Sequence, residues 1–291
     1  MNASVAYSPR KVDLFFPCRN AQFFSAGAPA SDAALCVELA RMAYCRSDAG
    51  FAFNQGRIST ELARIGFAAT AFFESQGTPD GGGTHCFLAM RQDRQLAVVA
   101  FRGTDKDDPT DVADDVDAVP VRWRCGGNVH RGFKEALGRL AGLEQALQAL
   151  PGRVLFTGHS LGAALATLLA SVRAPSALYT FGSPLVGDSG FVHTLDNVRN
   201  YRYVDCCDIV TRLPPEELGY RHVGKPHYIA RDGGVTFDPG EAFIRQDRVE
   251  AFLEYPTRYH AWNAANVGVR ELADHAPVNY VSAVMAATPP S

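Results

Sequence analysis

One stretch decides the fold of this chain: RVLFTGHSLGAALA, residues 153–166. An apolar run typical of a β-strand leads into Gly-x-Ser-x-Gly, and a run of small residues that favours a helix leads out. A serine on such a sharp strand-to-helix turn has a strained backbone, so its neighbours must leave room. Gly158 and Gly162 supply that room. Because the free N–H groups of the helix N-terminus point at Ser160, where a negatively charged oxygen would form, the stretch predicts a nucleophilic serine.

The whole chain has the size and composition of one well-buried globular domain. Its 291 residues are 47% hydrophobic and 20% charged, and the net charge is −3. This charge gives no reason to expect a nucleic-acid partner. The longest nearly apolar stretch, residues 161–172, is too short to span a bilayer, so we expect no transmembrane segment. Neither composition nor charge indicates an oligomeric state.

The cysteines and the N-terminal residues bear on the cellular compartment. Seven cysteines form an odd set without the spacing of metal ligands, which indicates reduced thiols in a protein core. The apolar run at residues 12–16 contains Asp13 and stops at Pro17, which is not the hydrophobic region of a secretory signal. We therefore expect a cytoplasmic protein, and secretion by a non-classical route is the alternative.

Buried strands alternate with helices along the chain. Near-continuous apolar runs predict strands, and periodic runs predict helices, in the order strand 96–101, helix 134–150, the strand and helix of residues 153–166, strands 177–181 and 198–204, and a last helix 279–287. This alternation predicts an α/β fold with a mostly parallel central sheet and helices on both faces. Residues 1–30 lack sustained periodicity and are expected to form a loose N-terminal extension, and residues 31–291 a single domain.

Ser160 needs a base, and the base needs a carboxylate that orients it. After a strand-turn-helix nucleophile these partners follow in chain order, the acid first and the histidine second. Asp208 is the favoured acid because an apolar loop follows it, and Asp205, nearer the strand, is the alternative. His275 is the favoured base because it lies just before the last helix. His260, in an aromatic patch, is the runner-up.

Two backbone N–H groups should stabilise the oxyanion. One is that of Leu161, the residue after the nucleophile. The other should come from a loop that follows an earlier central strand, and FRGT at residues 101–104 is such a loop. Gly103 permits a tight turn there, and the Thr104 hydroxyl can support the anion beside its own N–H. An ordinary turn is the alternative interpretation of this loop.

Taken together, these segments resemble the class 3 lipases, the fungal-lipase-like branch of the α/β-hydrolases. The similar segments are FRGT (101–104), VHRGF (129–133), GHSLG (158–162), YTFGSPLVG (179–187), DIVTRLPP (208–215) and Asp274-His275. The resemblance implies Ser160, Asp208 and His275 as a catalytic triad, with Thr104 and Leu161 as the oxyanion hole.

The resemblance also implies a reaction. It implies hydrolysis of acylglycerols or similar fatty-acid esters through an acyl-enzyme, with no metal and no organic cofactor. Phospholipase or acyltransferase activity on the same triad, or a non-catalytic binding module, are the alternatives. The pocket walls that would distinguish these activities are not evident from the sequence.

The chain departs from the family pattern after Thr104, where the family carries its lid. Residues 105–117 contain seven aspartates and one lysine, and Val112 stands where many relatives have a tryptophan. The segment lacks the glycine and glutamate of a calcium-binding loop, so a solvated, self-repelling lid at about residues 105–119 is the preferred interpretation. We expect such a lid to bind oil and anionic membranes poorly.

Overall fold

The computed structural model describes residues 5–19, 22–25, 27–47, 50–75, 83–93, 95–103, 118–148, 150 and 152–287. The expected lid at 105–119 and the expected oxyanion residue Thr104 lie almost wholly outside these residues, since only 118 and 119 of that stretch are described. In the described part, no helix combines the length and the apolar character that a bilayer crossing requires.

An eight-stranded sheet forms the centre of the molecule, in the spatial order β1-β2-β3-β6-β7-β8-β9-β10. Strands β3, β6, β7, β8 and β9 pair in parallel, whereas β1, β2 and β10 are antiparallel at the two edges. Strands β4 and β5 form a separate ribbon. The bounds are β1 Phe67–Glu74, β2 His85–Arg91, β3 Leu96–Phe101, β4 Pro120–Arg122, β5 Asn128–His130, β6 Arg153–His159, β7 Ala177–Phe181, β8 Asn200–Asp205, β9 Pro226–Ile229 and β10 Val235–Phe237.

Helices cover both faces of this sheet, which confirms the predicted fold class. One face carries α2 and α10, and the other carries α4 and α6, each over its own cluster of buried apolar side chains. The helices are α1 Lys11–Phe15, α2 Asp32–Met42, α3 Gln55–Ala63, α4 Arg131–Gly138, α5 Leu143–Gln148, α6 Leu161–Val172, α7 Ser189–His193, α8 Glu241–Arg258, α9 Arg270–Ala273 and α10 Pro277–Ala287, with 3₁₀ turns at Val210–Arg212 and Glu216–Leu218.

The parallel strands explain where functional side chains gather. All six residues of β3 are buried, as a strand covered on both faces requires. Phe101 at the end of β3 pairs with Gly158 of β6, and His159 at the end of β6 pairs with Phe181 of β7. The carboxyl ends of the central strands therefore meet at one edge, and the loops that follow them face one another.

Two predicted features of the chain differ in the structure. The single helix expected at 134–150 is two helices, because Gly142 has a φ of +78° that a continuing helix does not permit. The N-terminal residues are not loose where they are described. Phe23 and Phe24 are fully buried in the core, and the Tyr7 hydroxyl donates to the Asp274 carboxylate at 2.7 Å. Apolar burial and long-range hydrogen bonds thus hold a segment that lacks helical periodicity.

Candidate active site

Ser160 lies on the sharp turn between β6 and α6. Its φ is +58° and its ψ is −130°, a backbone conformation that is strained for a residue with a side chain. The glycines on either side make the turn possible. A Cβ on Gly158 would overlap the carbonyl group of Gly162, and one on Gly162 would overlap the carbonyl oxygen of Phe101. The predicted roles of these two glycines thus have a direct steric basis.

The structure brings Ser160, His275 and Asp208 into one hydrogen-bonded chain. The Oγ of Ser160 lies 3.0 Å from Nε2 of His275, and Nδ1 of His275 lies 2.9 Å from each carboxylate oxygen of Asp208. All three side chains are buried. The proximity of Nδ1 to a carboxylate places the imidazole proton on Nδ1, which leaves Nε2 free to accept from the serine hydroxyl.

The Asp208 carboxylate is held by further donors. The Tyr280 hydroxyl donates to Oδ2 at 2.6 Å, and the backbone N–H of Val210 donates to Oδ1 at 2.9 Å. A fully buried carboxylate needs such bonds, because burial otherwise penalises its charge. The same burial, together with the charge of Asp208, raises the pKa of Tyr280 well above its usual value, so this hydroxyl remains a donor.

The two alternatives from the sequence have other surroundings. The Asp205 carboxylate accepts from the backbone N–H of Cys206 at 2.8 Å, and burial raises its pKa well above the usual range. His260 follows the end of α8 as an exposed residue, with its ring beside that of Trp262 at 5.2 Å between centroids. Neither residue takes the place of Asp208 or His275 in the chain of hydrogen bonds.

A second histidine, His159, packs against the ring of His275. The ring of His159 packs 4.6 Å from the ring of His275, and its Nδ1 lies 2.7 Å from the Tyr44 hydroxyl. Burial and the neighbouring His275 lower the pKa of His159 well below its usual value, so this imidazole stays neutral. Sequence reasoning did not identify Tyr44 or Tyr280 as parts of the site, since each comes from a helix or helix end remote from Ser160 along the chain.

Of the two expected oxyanion donors, only Leu161 lies among the described residues. Leu161 is the first residue of α6, so its N–H has no partner within its own helix and is available to an oxyanion. Thr104 lies outside the described residues. Gly103, just before it, packs against the first residues of the turn: a Cβ there would lie 2.9 Å from the carbonyl oxygen of His159. The end of β3 therefore leads the chain toward Ser160.

A buried acid next to the base joins several segments. The carboxylate of Asp274 accepts from the backbone N–H of Cys207 at 2.9 Å, from Arg270 at 3.1 Å and from the Tyr7 hydroxyl at 2.7 Å. Burial raises the pKa of Asp274, against the opposing effect of Arg270. These bonds tie the residue before Asp208 to the residue before His275.

One cluster among the described residues has the composition of a metal site. The potential ligand atoms of Cys206, Cys207 and Asp274 lie within 4.8 Å of one another. The Asp274 oxygens already accept from three donors, and the Arg270 guanidinium lies beside them. A cation at this position would have to compete with that guanidinium, so the geometry favours a structural role for the cluster.

The fold and these three side chains define an α/β-hydrolase with a Ser-His-Asp arrangement. The model of the family Lipase (class 3) matches residues 98–218. The chain is 39% identical over 122 residues to secreted mono- and diacylglycerol lipase 1 of Fusarium solani, over 38% of this chain and 36% of that protein. It is 30% identical over 172 residues to a lipase of Rhizomucor miehei, over 53% of this chain and 47% of that protein. Residues 98–218 are thus similar to the class 3 lipases, the family that the motifs of the sequence predicted.

A solved structure gives the same result for the fold. The lipase of Rhizopus microsporus var. chinensis superposes with a TM-score of 0.56 at 26% sequence identity, over 70% of this chain and 76% of that chain. By contrast, the chain spans between a third and a half of the two curated relatives described above. The residues that the family model matches, 98–218, include Ser160 and Asp208.

The predicted cytoplasmic location is wrong. The relatives from Fusarium solani and from Penicillium species are named as secreted lipases, which points to an extracellular location. The prediction depended on the odd cysteine count and on residues 12–16. All seven cysteines are free thiols, and six of them are buried, so their number reflects core packing and carries little information on the compartment.

Proposed function

We propose that this chain is a serine carboxylic-ester hydrolase that cleaves acylglycerols or similar fatty-acid esters through an acyl-enzyme. One observation carries the proposal: the continuous hydrogen bonding from Ser160 Oγ through the His275 imidazole to the Asp208 carboxylate. The match of residues 98–218 to the class 3 lipase family model supports the ester class of the substrate. The named activity of the relatives, lipase or mono- and diacylglycerol lipase, supports a glycerol ester.

The arrangement performs the reaction in two half-cycles. Ser160 Oγ attacks the ester carbonyl while His275 Nε2 takes the hydroxyl proton, and Asp208 stabilises the resulting imidazolium. The N–H of Leu161, with Thr104 as the second donor, stabilises the tetrahedral oxyanion. His275 then gives its proton to the leaving alcohol, which leaves the acyl group on Ser160. Water, deprotonated by His275, releases the fatty acid and restores the serine.

The test compares the wild type with Ser160→Ala on p-nitrophenyl esters of increasing chain length. We expect the substitution to lower kcat by a factor on the order of 10⁴ or more, because nucleophile and base act as one unit. Ser189→Ala, which alters an exposed serine at the start of α7, is the matched control and should keep full activity.

Covalent labelling separates an enzyme from a binding module on the same fold. A fluorophosphonate probe should label the wild type and Ser189→Ala, and should not label Ser160→Ala. Absence of labelling in the wild type, together with no hydrolysis of any ester, would refute the proposed function.

A further inference from the structure

A cavity of about 550 Å³ lies beside the loop that follows Asp208, and the buried Arg202 is part of its lining. It is enclosed by β8, by the turns that follow Asp208, by the start of β9 and by α8. The triad side chains are not among the residues that line it. Ligand binding here is therefore a question separate from the chemistry at Ser160.

Arg202, in the middle of β8, is the unusual residue of this cavity. Its side chain is 8% exposed, its Nε is buried, and this nitrogen has no hydrogen-bond partner in the described part of the chain. The hydrogen bond that the guanidinium does make runs from Nη2 to the carbonyl oxygen of Gly224, at 3.3 Å. Burial lowers the pKa of Arg202 to about 10, so the group is still charged at neutral pH.

Two other buried arginines have the carboxylate partner that Arg202 lacks. Arg41 pairs with the buried carboxylate of Glu38 at 2.7 Å, and Arg270 pairs with the buried carboxylate of Asp274 at 3.1 Å. Within the described residues, Arg202 has no carboxylate at ion-pair distance. Burying a cation without a partner is costly, and proteins usually compensate such a charge. A bound anion would supply the missing partner.

The rest of the lining agrees with an anionic ligand. Arg212, Arg245 and Arg248 also line the cavity, and the Arg248 Nε donates to the carbonyl oxygen of Cys206 at 2.7 Å, which holds that guanidinium in place. The acidic side chains of the lining, Glu216, Glu217 and Glu241, belong to exposed residues. Arg212 and Arg245 are exposed as well, and Arg245 pairs with Glu241 at 3.5 Å, whereas Arg202 is buried. The buried positive charge of the lining is thus that of Arg202.

His222 removes a competing source of positive charge. Its Nε2 lies 2.7 Å from the carbonyl oxygen of Thr211, and burial together with the Arg202 charge lowers its pKa to about 3. The imidazole is therefore neutral at the pH of any ordinary binding experiment. His222 therefore adds no positive charge to the cavity, and the arginines supply the charge that an anion would meet.

Apolar side chains form much of the remaining wall: Leu185, Val204, Pro226, Tyr228 and Ile244. We propose that this cavity binds an amphiphilic oxyanion, with a carboxylate or phosphate group at Arg202 and a hydrocarbon group along the apolar wall. A guanidinium fits both oxyanions, because its planar fork of donors matches either geometry.

Calorimetric titration of Ser160→Ala tests this site without any hydrolysis. The probes are decanoate and decyl phosphate, with acetate and inorganic phosphate as their counterparts without a tail. We expect one saturable site per chain, with each tailed anion at least about tenfold tighter than its counterpart. Whichever of decanoate and decyl phosphate binds with the lower Kd identifies the oxyanion that the site prefers.

Substitutions locate the binding. Arg202→Met in the same background should weaken decanoate or decyl phosphate at least tenfold, because it removes the charge that the oxyanion meets. Arg248→Gln should weaken it several-fold. Arg199→Met, at an exposed arginine just before β8, is the matched control and should bind as the parent does. If Arg202→Met loses its cooperative thermal transition, Ile244→Trp, which fills the cavity from α8, provides the same test.

Three results would overturn the proposal. They are no saturable binding of any of the four anions, equal affinity in the parent and in folded Arg202→Met, and equal affinity for tailed and tail-free anions. Because hydrolysis plays no part in the readout, a failed anion site leaves the proposed esterase function intact. Equally, an inactive enzyme could still bind the anion.

Discussion

At the scale of single residues, the Asp208 side chain shows how hydrogen bonds hold a fully buried carboxylate in place. His275, Tyr280 and the Val210 N–H all direct hydrogen bonds to its two oxygens. Tyr280 does more than donate, since its oxygen also accepts from the backbone N–H of Asp205 at 3.0 Å. One hydroxyl therefore links the end of β8 to the acid that follows it.

Tyr280→Phe should lower activity without removing it. The substitution takes away one charge-assisted hydrogen bond, and we expect kcat to fall roughly tenfold with little change in KM. Tyr179→Phe, at a buried tyrosine whose ring stacks on Tyr201, is the matched control and should keep its kcat. Steady-state kinetics on one p-nitrophenyl ester measures both. An unchanged kcat in Tyr280→Phe would mean that the other donors suffice to hold Asp208.

His130 makes stability depend on pH. It is buried against the ring of Phe133 at 4.1 Å between centroids, and neither ring nitrogen has a hydrogen-bond partner among the described residues. Burial lowers its pKa to about 4 from the ordinary 6.5. Between these values the unfolded chain binds a proton that the folded chain does not. The free energy of unfolding therefore decreases as the pH falls from 6.5 to 4.

Replacement of His130 by leucine should reduce this acid sensitivity. We expect the loss of unfolding free energy between pH 7 and pH 4.5, measured by urea titration, to be smaller in His130→Leu by on the order of 2 kcal/mol. His193→Gln, at an exposed histidine of α7, is the control and should lose as much as the wild type. Equal losses in all three proteins would show that His130 is protonated without cost in the folded state.

At the scale of elements, the contact between β3 and the turn at Ser160 depends on glycine. The Cα of Gly162 faces the end of β3 so closely that a methyl group would overlap the carbonyl oxygen of Phe101. Gly162→Ala should therefore destabilise the fold by about 2–3 kcal/mol and lower the melting temperature by roughly 5–10 °C. The control is Gly138→Ala in α4, where a Cβ would meet nothing within 4 Å. Calorimetry that found the two variants equally stable would contradict this account.

An element can be predicted when the pattern of apolar residues along the chain matches the side of the element that is buried. Strands such as β3 and β7 are buried along their whole length and were predicted, because a short continuous apolar run is typical of a strand covered on both faces. Helix α8 was missed. Its buried side is only Asp247, Ala251 and Tyr255, whereas Leu253 is 77% exposed, so apolar positions do not mark one face. Pro256 also argues against a helix at the level of sequence, because proline is disfavoured in a helix interior.

The candidate site follows the same physical logic. Ser160 was predictable because the turn imposes small residues within four positions along the chain. Asp208 and His275 were predictable from chain order, and the structure brings them together. Tyr44, Tyr280 and Asp274 act through hydrogen bonds with residues that are close only after folding. Tyrosine and aspartate occur in many structural settings, so no local sequence pattern shows that these three residues form hydrogen bonds at the candidate site.

At the scale of the whole molecule, the N-terminal residues pack against the C-terminal part of the chain close to His275. Ser8 and Asn279 exchange two hydrogen bonds, of 2.7 and 3.0 Å, across 271 residues of sequence. The N–H of Val267 donates to the carbonyl oxygen of Pro9 at 2.7 Å. The N-terminal residues therefore pack against the segment that carries His275. The sequence could not predict this contact, because irregular chain held by long-range hydrogen bonds has no periodicity.

Tyr7→Phe tests whether this N-terminal segment supports catalysis. The Tyr7 hydroxyl donates to the Asp274 carboxylate, which also accepts from the N–H of Cys207. Loss of this hydroxyl should therefore make the positions of His275 and of the loop at Asp208 less well fixed. We expect a destabilisation of about 1.5–3 kcal/mol, seen as a melting temperature lower by roughly 3–10 °C, and a several-fold lower kcat at constant KM. Tyr259→Phe, whose ring lies 4.6 Å from that of Tyr7, is the matched control for the loss of a hydroxyl from the same aromatic pair. A Tyr7→Phe protein with lower melting temperature and normal kcat would limit the segment to a structural role. One that matches the wild type in both measurements would show that Asp274 holds its position without the N-terminal residues.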